Sequence, residues 1–452
     1  MATNTHIRKR GARRRAARSA LLLVALAGSF FAVTGADIRP VATTTHEDEE
    51  LDGRDERQPP THRPTVEAAF PRESYAPGAP ARLVFWSRGR NVTIQIFRAG
   101  TERTRIEPRD EMLGTPVTPV RAIGNVSRGD SVRVSIGDWA SGLYFARLNG
   151  AGGRIGYAPF VLRPRRLGEH RVAVVLSTMT WQAYNFHDDD GNGTLDTWYA
   201  GAVHARLGRP YENRGVIPHY KYYEQPFLRW LIATHRDVDY LADADLDAST
   251  TTGRRLAQAY ELLIFPGHHE YVTPHEFDAV TAFRDLGGNL MFLSANNFFW
   301  RTAKSGNVMT RTNHYRAVGR PEAALIGVQY FGNDSGEHRG AWVLRSAPAA
   351  RWIFSGTRLG PGDAFANGGI EADETAPSSP RGPQVLAAIP NLFGTGHDAE
   401  MSYYERDGAK VFAAGAFTLA GAVWWPDVRR VMENLWRRLA DDGNRARLGG
   451  PA

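Results

Sequence analysis

The sequence predicts an α/β protein: a doubly wound, mostly parallel sheet preceded by a small β-sandwich. Three observations point there. Apolar runs without alternation, RVAVVL at 171–176, ELLIFPG at 261–267 and NLMFLSAN at 289–296, have the composition of strands buried on both faces. Helical patterns lie between them, at Gln225–Thr234 and His275–Leu286, and strands alternating with helices build a parallel sheet. Before residue 164 the texture differs. There, short runs alternate apolar with polar residues and are punctuated by Gly, Asn, Asp and Pro, the pattern of antiparallel strands.

Taken in order, the 452-residue chain begins with its charge. The formal net charge is +7, but residues 1–36 hold seven basic residues and no acidic one, and the remaining 48 basic residues equal the 48 acidic. The basicity is therefore local, and no nucleic-acid-binding surface is indicated. A basic region ending at Arg18, an apolar stretch Ala20–Val33 and small residues at Thr34-Gly35-Ala36 read as an export signal. The apolar stretch is shorter than the ~20 residues of a spanning helix. A secreted or cell-surface location is expected, with membrane contact only through residues 1–36 if they are retained as an anchor. Residues 37–64 are acidic, polar and Pro-containing, the composition of a disordered linker. Residues 65–164 form the sandwich, with strands in ARLVFWS, NVTIQIFRAG, SVRVSI, GLYFARL and IGYAPFVL. The α/β domain follows at 170–442. Gly287-Gly288 suits a helix C-cap and a tight turn, EMSYYE-RDG-AKVFAAG at 400–415 reads as a hairpin, and Asp427–Leu439 is the closing helix. The chain has no cysteine, which excludes disulfides, lipoprotein attachment and thiol-based amidotransferase chemistry.

Open parallel sheets bind ligands outside the carboxyl ends of their strands. Those ends carry Tyr184 after the first run, His268-His269-Glu270-Tyr271 after the second and Asn296-Asn297 after the third. Imidazole and carboxylate are metal ligands. The zincin spacing is absent, because Thr273 stands where a second His is needed and Pro274 interrupts a helix. Adjacent side chains point apart, so at most one of His268 and His269 serves as a ligand or acid–base group; the alternative is that both cap the strand end. Separately, Asp188, Asp190, Asn192, Thr194 (through its carbonyl) and Asp196, with Gly193 at the turn, match the first nine positions of a calcium loop. Tyr199 stands where the loop's bidentate Glu would be; a solvated Asp/Gly turn is the alternative.

A chain of motifs then resembles a known family: TWQAYN (180–185), RPY (209–211), YEQPFLRWL (223–231), DVDYLADADL (237–246), PGHHEYVT (266–273), GGNLMFLSANNFFWR (287–301), GIEAD (369–373) and MSYYERDGAKVFAAG (401–415). With SYAPG (74–78), DWASGLY (138–144) and YAPFV (157–161) in the sandwich, they resemble the N,N-dimethylformamidase large (beta) subunit family across most of residues 66–439. The fold expected is flavodoxin/glutamine-amidotransferase-like, after an Ig-like sandwich. The resemblance implies hydrolysis of a small amide at one ferric iron held by two tyrosines and a glutamate. Tyr184 matches the first tyrosine, Tyr199 is taken as the second and Glu270 matches the glutamate. His268 and Asn296 match catalytic positions, and Glu405 is taken as a further catalytic glutamate, with Glu371 competing. His269 replaces the family's usual Pro, and Ser294-Ala295-Asn296 its Gly-Gly-Asn; these departures leave the substrate open. A small partner subunit or a homo-oligomer is also implied. Two other readings stand beside the hydrolase: a non-catalytic binding protein with a calcium-stabilised loop, and a structural exported protein held by calcium.

Overall fold

The computed structural model describes residues 65–101, 111–334 and 336–440. The expected export signal (1–36), the linker (37–64) and the last two residues of the second domain lie outside the described residues. Among those described, no helix is long and apolar enough to cross a membrane.

The first hundred described residues form two facing sheets. One has three strands, Ala68–Ala69, Pro80–Phe85 and Ser131–Ser135; the other has six and is built on Gly89–Ala99, Gly142–Gly150 and Arg154–Leu162. Side chains alternate across a strand. Ala81, Leu83 and Phe85 therefore face inward and meet Val92, Ile94 and Ile96 in one core. Gly142–Gly150 breaks this alternation, being buried continuously from Gly142 to Ala146. Its second face packs on the rest of the chain: Leu143, Phe145, Tyr157 and Val161 share a core with Val174, Trp230 and Tyr240. Ser141 fastens the joint, its Oγ accepting from Tyr240 N at 2.8 Å and donating to Leu162 O at 2.8 Å.

The main sheet has eleven strands. Five are parallel, in the order Asp239–Ala242, Val172–Leu176, Leu262–Phe265, Asn289–Phe292 and Ala409–Ala413. The continuous apolar runs of the sequence supply the inner ones. Beyond Ala409–Ala413 the sheet continues antiparallel through Ala399–Arg406, Gln384–Ile389, Arg339–Leu344, Ala364–Glu374 and Gln329–Asn333, and Ala416–Phe417 pairs with Ala364–Glu374. A separate four-stranded sheet contains Tyr271–Val272, Trp300–Ser305, Val308–His314 and Ala205–Arg206. This overturns the expected doubly wound, mostly parallel sheet. Strand makes up 36% against 21% helix, and several sheets are mixed or antiparallel. The reason lies between Asn297 and Glu400. Successive parallel strands need crossovers of a dozen or more residues, usually a full helix; this stretch holds only turns and short helical segments between its strands, which pair antiparallel in the main sheet.

Local signals were otherwise followed closely. Ala399–Arg406 and Ala409–Ala413 form the hairpin, its two turn residues Asp407 and Gly408 at φ 50° and 89°, as a type I′ turn requires. Pro274–Asp285 is a helix whose Thr273 side chain accepts from Glu276 N. Gly287 adopts φ 91° just past its end, and a Cβ on Gly288 would lie 2.3 Å from the Phe283 ring. The closing helix spans Pro426–Leu439.

Candidate functional site

Three parallel strands end at one place. Val172–Leu176 runs into the helix Thr178–Ala183, which Tyr184 terminates. Leu262–Phe265 delivers His268 and Glu270, and Asn289–Phe292 leads to Asn296. A cavity of about 520 Å³ opens there, with Tyr184, Tyr199, His268 and Glu371 among its lining residues.

The contacts within this cluster are short. The Tyr184 hydroxyl donates to Glu270 Oε2 at 2.7 Å. His268 Nε2 lies 3.5 Å from the same oxygen and 3.2 Å from Glu371 Oε2. Tyr199 stacks on Tyr184 with ring centroids 4.7 Å apart, and its hydroxyl is 2.6 Å from that of Tyr271. Burial pushes the Glu270 carboxyl up to about 7; His268 opposes the rise and Glu371 adds to it. Burial pulls the His268 imidazole down, but Glu371 and then Glu270 outweigh it and hold it above its ordinary value. Tyr184 is held well above the usual phenol range by burial first and by Glu270 second. The pocket is thus anion-rich and poorly solvated, so its phenols stay neutral unless a cation offsets the carboxylates.

The loop carrying these groups is pinned from behind. His269 points the opposite way from His268, into a fully buried position where its Nε2 is 2.6 Å from Asp243 Oδ1. Phe298 N donates to His269 O at 2.7 Å, and Trp300 N to Glu270 O at 2.9 Å. Asp243, His269 and Glu276 make a buried group of their own, which sequence inspection had not singled out. The Asn296 side chain hydrogen-bonds the Glu270 carboxyl, and its backbone N donates to Asp373 Oδ1 at 2.8 Å.

Glu371 arrives from the antiparallel extension. Gly369 pairs with Phe417 but Ala372 with Ala416, so Ile370 and Glu371 bulge from the pairing with Ala416–Phe417 while Glu371 stays in register with Asn333 on the other side, and bulges commonly re-aim side chains near sites. Ile370 and Thr418, both β-branched, have φ 69° and 83°, and Asn296 and Phe298 have φ 51° and 58°. Positive φ at a β-branched residue is a true outlier, and such strain gathers at functional sites.

Glu405 does not join the cluster. It is exposed, accepts from the Tyr403 hydroxyl at 2.6 Å and pairs with Lys410. Lys410 stands at the amino end of its parallel strand, opposite the cavity. Glu371 occupies the place expected of Glu405. Tyr271, read at the strand end, is joined to Tyr199, whereas Glu224 was not singled out. Glu224 lines the cavity, and its Oε1 accepts from Trp181 Nε1 at 2.9 Å; its sequence signals were an acid at the head of an apolar helical pattern and its place in the motif YEQPFLRWL.

The candidate calcium loop is separate and exposed. Carboxylate oxygens of Asp188, Asp190 and Asp196 lie within 4.8 Å of one another. Asp188 Oδ2 accepts from Gly193 N at 2.7 Å, and Asn192 Oδ1 from Thr194 N at 2.7 Å. Tyr199 turns into the aromatic pair with Tyr184.

Comparison with known proteins gives one match of substance. The family model for the N,N-dimethylformamidase beta subunit-like C-terminal region matches residues 130–427. No curated protein matches the chain. Among solved structures, a Pseudomonas fluorescens alkylpurine DNA glycosylase bound to DNA is 17% identical over 22% of this chain and 31% of that one, with a TM-score of 0.15. A superoxide reductase (neelaredoxin) from Ignicoccus hospitalis is 12% identical over 23% of this chain and 81% of that one, with a TM-score of 0.15. A Paenibacillus cycloisomaltooligosaccharide glucanotransferase is 11% identical over 40% of this chain and 27% of that one, with a TM-score of 0.16. The chain spans about a third of the first of these, and at such scores the likenesses carry no argument. The family match covers more than half of the chain and includes Tyr184, His268, Glu270 and Glu371: this protein belongs to the N,N-dimethylformamidase beta subunit-like family.

Proposed function

We propose that the chain is an exported, metal-dependent hydrolase of amide C–N bonds acting at the Tyr184–His268–Glu270–Glu371 cluster. Membership of the family supports the dimethylformamidase-like hydrolase class and a small-molecule amide substrate. The observation that carries the reading is the clustering of the Tyr184 and Tyr199 phenols, the Glu270 carboxylate and the His268–Glu371 pair at the wall of one cavity.

The donor set of Tyr184, Tyr199 and Glu270 is all oxygen and anionic when deprotonated, which suits a hard trivalent ion such as ferric iron. When bound there, iron would supply Lewis-acid polarisation of an amide carbonyl and a lowered pKa for water. The chain's own groups do the rest. His268 Nε2, between Glu270 and Glu371, holds a proton within reach of a departing amine nitrogen. Glu371 orients that imidazole and stabilises its charged form. Asn296, anchored on Asp373, positions the Glu270 carboxyl through its side chain.

Metal analysis of the full chain, with its visible absorption spectrum, tests this. Near-stoichiometric iron with a phenolate-to-iron band, both lost in Glu270→Ala together with amide hydrolysis, is the expected result. Hydrolysis retained by Glu270→Ala would remove the metal from the reaction. Calcium alone, without colour or turnover, would favour a binding protein with the Asp188–Asp196 loop as its metal site.

A further inference from the structure

The rings that line the cavity touch one another in an unbroken series. Ring centroids pass from Phe186 to Tyr199 at 6.2 Å, on to Tyr184 at 4.7 Å and to His268 at 5.2 Å. From His268 the series continues to Phe417 at 4.7 Å, Tyr223 at 5.1 Å and His219 at 5.4 Å. Every member lines the same cavity of about 520 Å³, a volume in the range that encloses drug-sized ligands. Rings in a core only pack on each other; these also border open space.

The series runs from an exposed rim to a buried wall. Phe186 and Tyr199 are exposed, whereas Tyr223 and Phe417 are buried. With Ala295 and Ile370 these two make a small apolar cluster of their own, apart from the larger cores packed on the main sheet. Ile370, at φ 69°, holds its side chain in that wall at a cost in backbone strain. Outside the reacting cluster and the ring series, the polar members of the lining are Thr180 and Glu224 within and Asn333 and Glu337 at the exposed mouth. Glu224 is engaged by Trp181 and acted on by His268. The buried wall therefore offers chiefly aromatic surface. A further ring would meet it in offset or edge contacts, which gain beyond the area they bury.

We propose that the substrate is an amide bearing an aromatic ring, which the ring series receives while the C–N bond lies at His268. This rests on the hydrolase reading and adds the substrate's structural class. Hydrolysis adds water across the C–N bond, hydroxyl to the acyl carbon and proton to the departing amine nitrogen, and needs no further reactant. The test uses the full chain and matched amides carrying a phenyl, cyclohexyl or methyl group, placed on the acyl side in one series and on the amine side in another. Amine release and ligand-induced shift of Tm are both read. In at least one series the phenyl amide should exceed the methyl amide by about tenfold to a hundredfold in kcat/KM, mainly through KM, from burial of the larger group. It should exceed the cyclohexyl amide by about threefold, the share owed to ring–ring contact. Phe417→Leu keeps an apolar side chain without a ring and should bring the phenyl-to-cyclohexyl ratio towards one. Phe186→Ala, at the exposed rim, should lower that ratio partially and guards against misfolding of the buried variant. A ratio unchanged in both variants would overturn recognition by the ring series. Equal or better turnover of the methyl or cyclohexyl amide in both series would overturn the inference and leave the hydrolase standing. A phenyl-selective Tm shift without turnover of any amide would keep the aromatic recognition and overturn the hydrolase. Neither turnover nor a selective shift would overturn both.

Discussion

Glu73 joins the sandwich to the helix that ends at Tyr184. Its carboxylate accepts from the Thr178 hydroxyl, and Asp243 and Asp245 lie near enough to act on it. Burial first, then Asp243, raise its pKa from 4.5 to about 7, with Lys304 opposing. The sign follows from linkage. The folded state keeps a proton that the unfolded chain releases, so this contribution to stability is complete below pH 4.5 and is lost as pH rises through 7. A rise of that size, at 1.36 kcal/mol per unit, amounts to about 3 kcal/mol. Because Glu73 is only partly buried, solvent screening trims this to roughly 2–3 kcal/mol. Glu73→Gln keeps an acceptor for Thr178 and removes the titration. Urea unfolding of both proteins from pH 4 to pH 8 should therefore show the variant gaining on the wild type by roughly 2–3 kcal/mol across that range. Parallel pH profiles, with a constant difference between the two, would show that Glu73 is not desolvated at this joint.

Other perturbations have equally definite outcomes. Gly267→Ala places a methyl group against Glu224; a loss of about 1–3 kcal/mol in stability is expected from overpacking, and unchanged urea unfolding would show that the Glu224 side chain moves aside at no cost. Glu371→Gln should cut kcat by about a hundredfold, as for loss of a general acid–base partner, whereas Glu405→Gln, on the exposed hairpin, should stay within about twofold. The reverse pattern would return the catalytic role to Glu405. Millimolar calcium should raise the Tm of the wild type but not of Asp188→Asn/Asp190→Asn; equal response in both would show that the Asp188–Asp196 loop does not hold the ion. Trp230→Ala, removing a fully buried side chain at the joint between sandwich and sheet, should cost about 3–5 kcal/mol by chemical denaturation.

What the sequence determined by itself was local. Unbroken apolar runs marked Val172–Leu176, Leu262–Phe265 and Asn289–Phe292 as strands buried on both faces, because burial on two sides permits no polar alternation. Asp407-Gly408 specified the hairpin turn, and Thr273-Pro274 and Gly287 bounded a helix, since backbone sterics and orphan amides are settled within a few residues. The strand-end rule therefore located Tyr184, His268 and Glu270 together. Only the tertiary structure decided the rest. Between Asn297 and Glu400 no periodicity announced which strand would pair with which, and the pairing turned the expected parallel sheet into a mixed one. That same pairing carried Glu371, a hundred residues beyond His268, to 3.2 Å from its imidazole and left Glu405 at the other end of the sheet. Residues so far apart in the chain meet through the topology and a bulge, and those depend on the summed burial of many strands rather than on any local pattern.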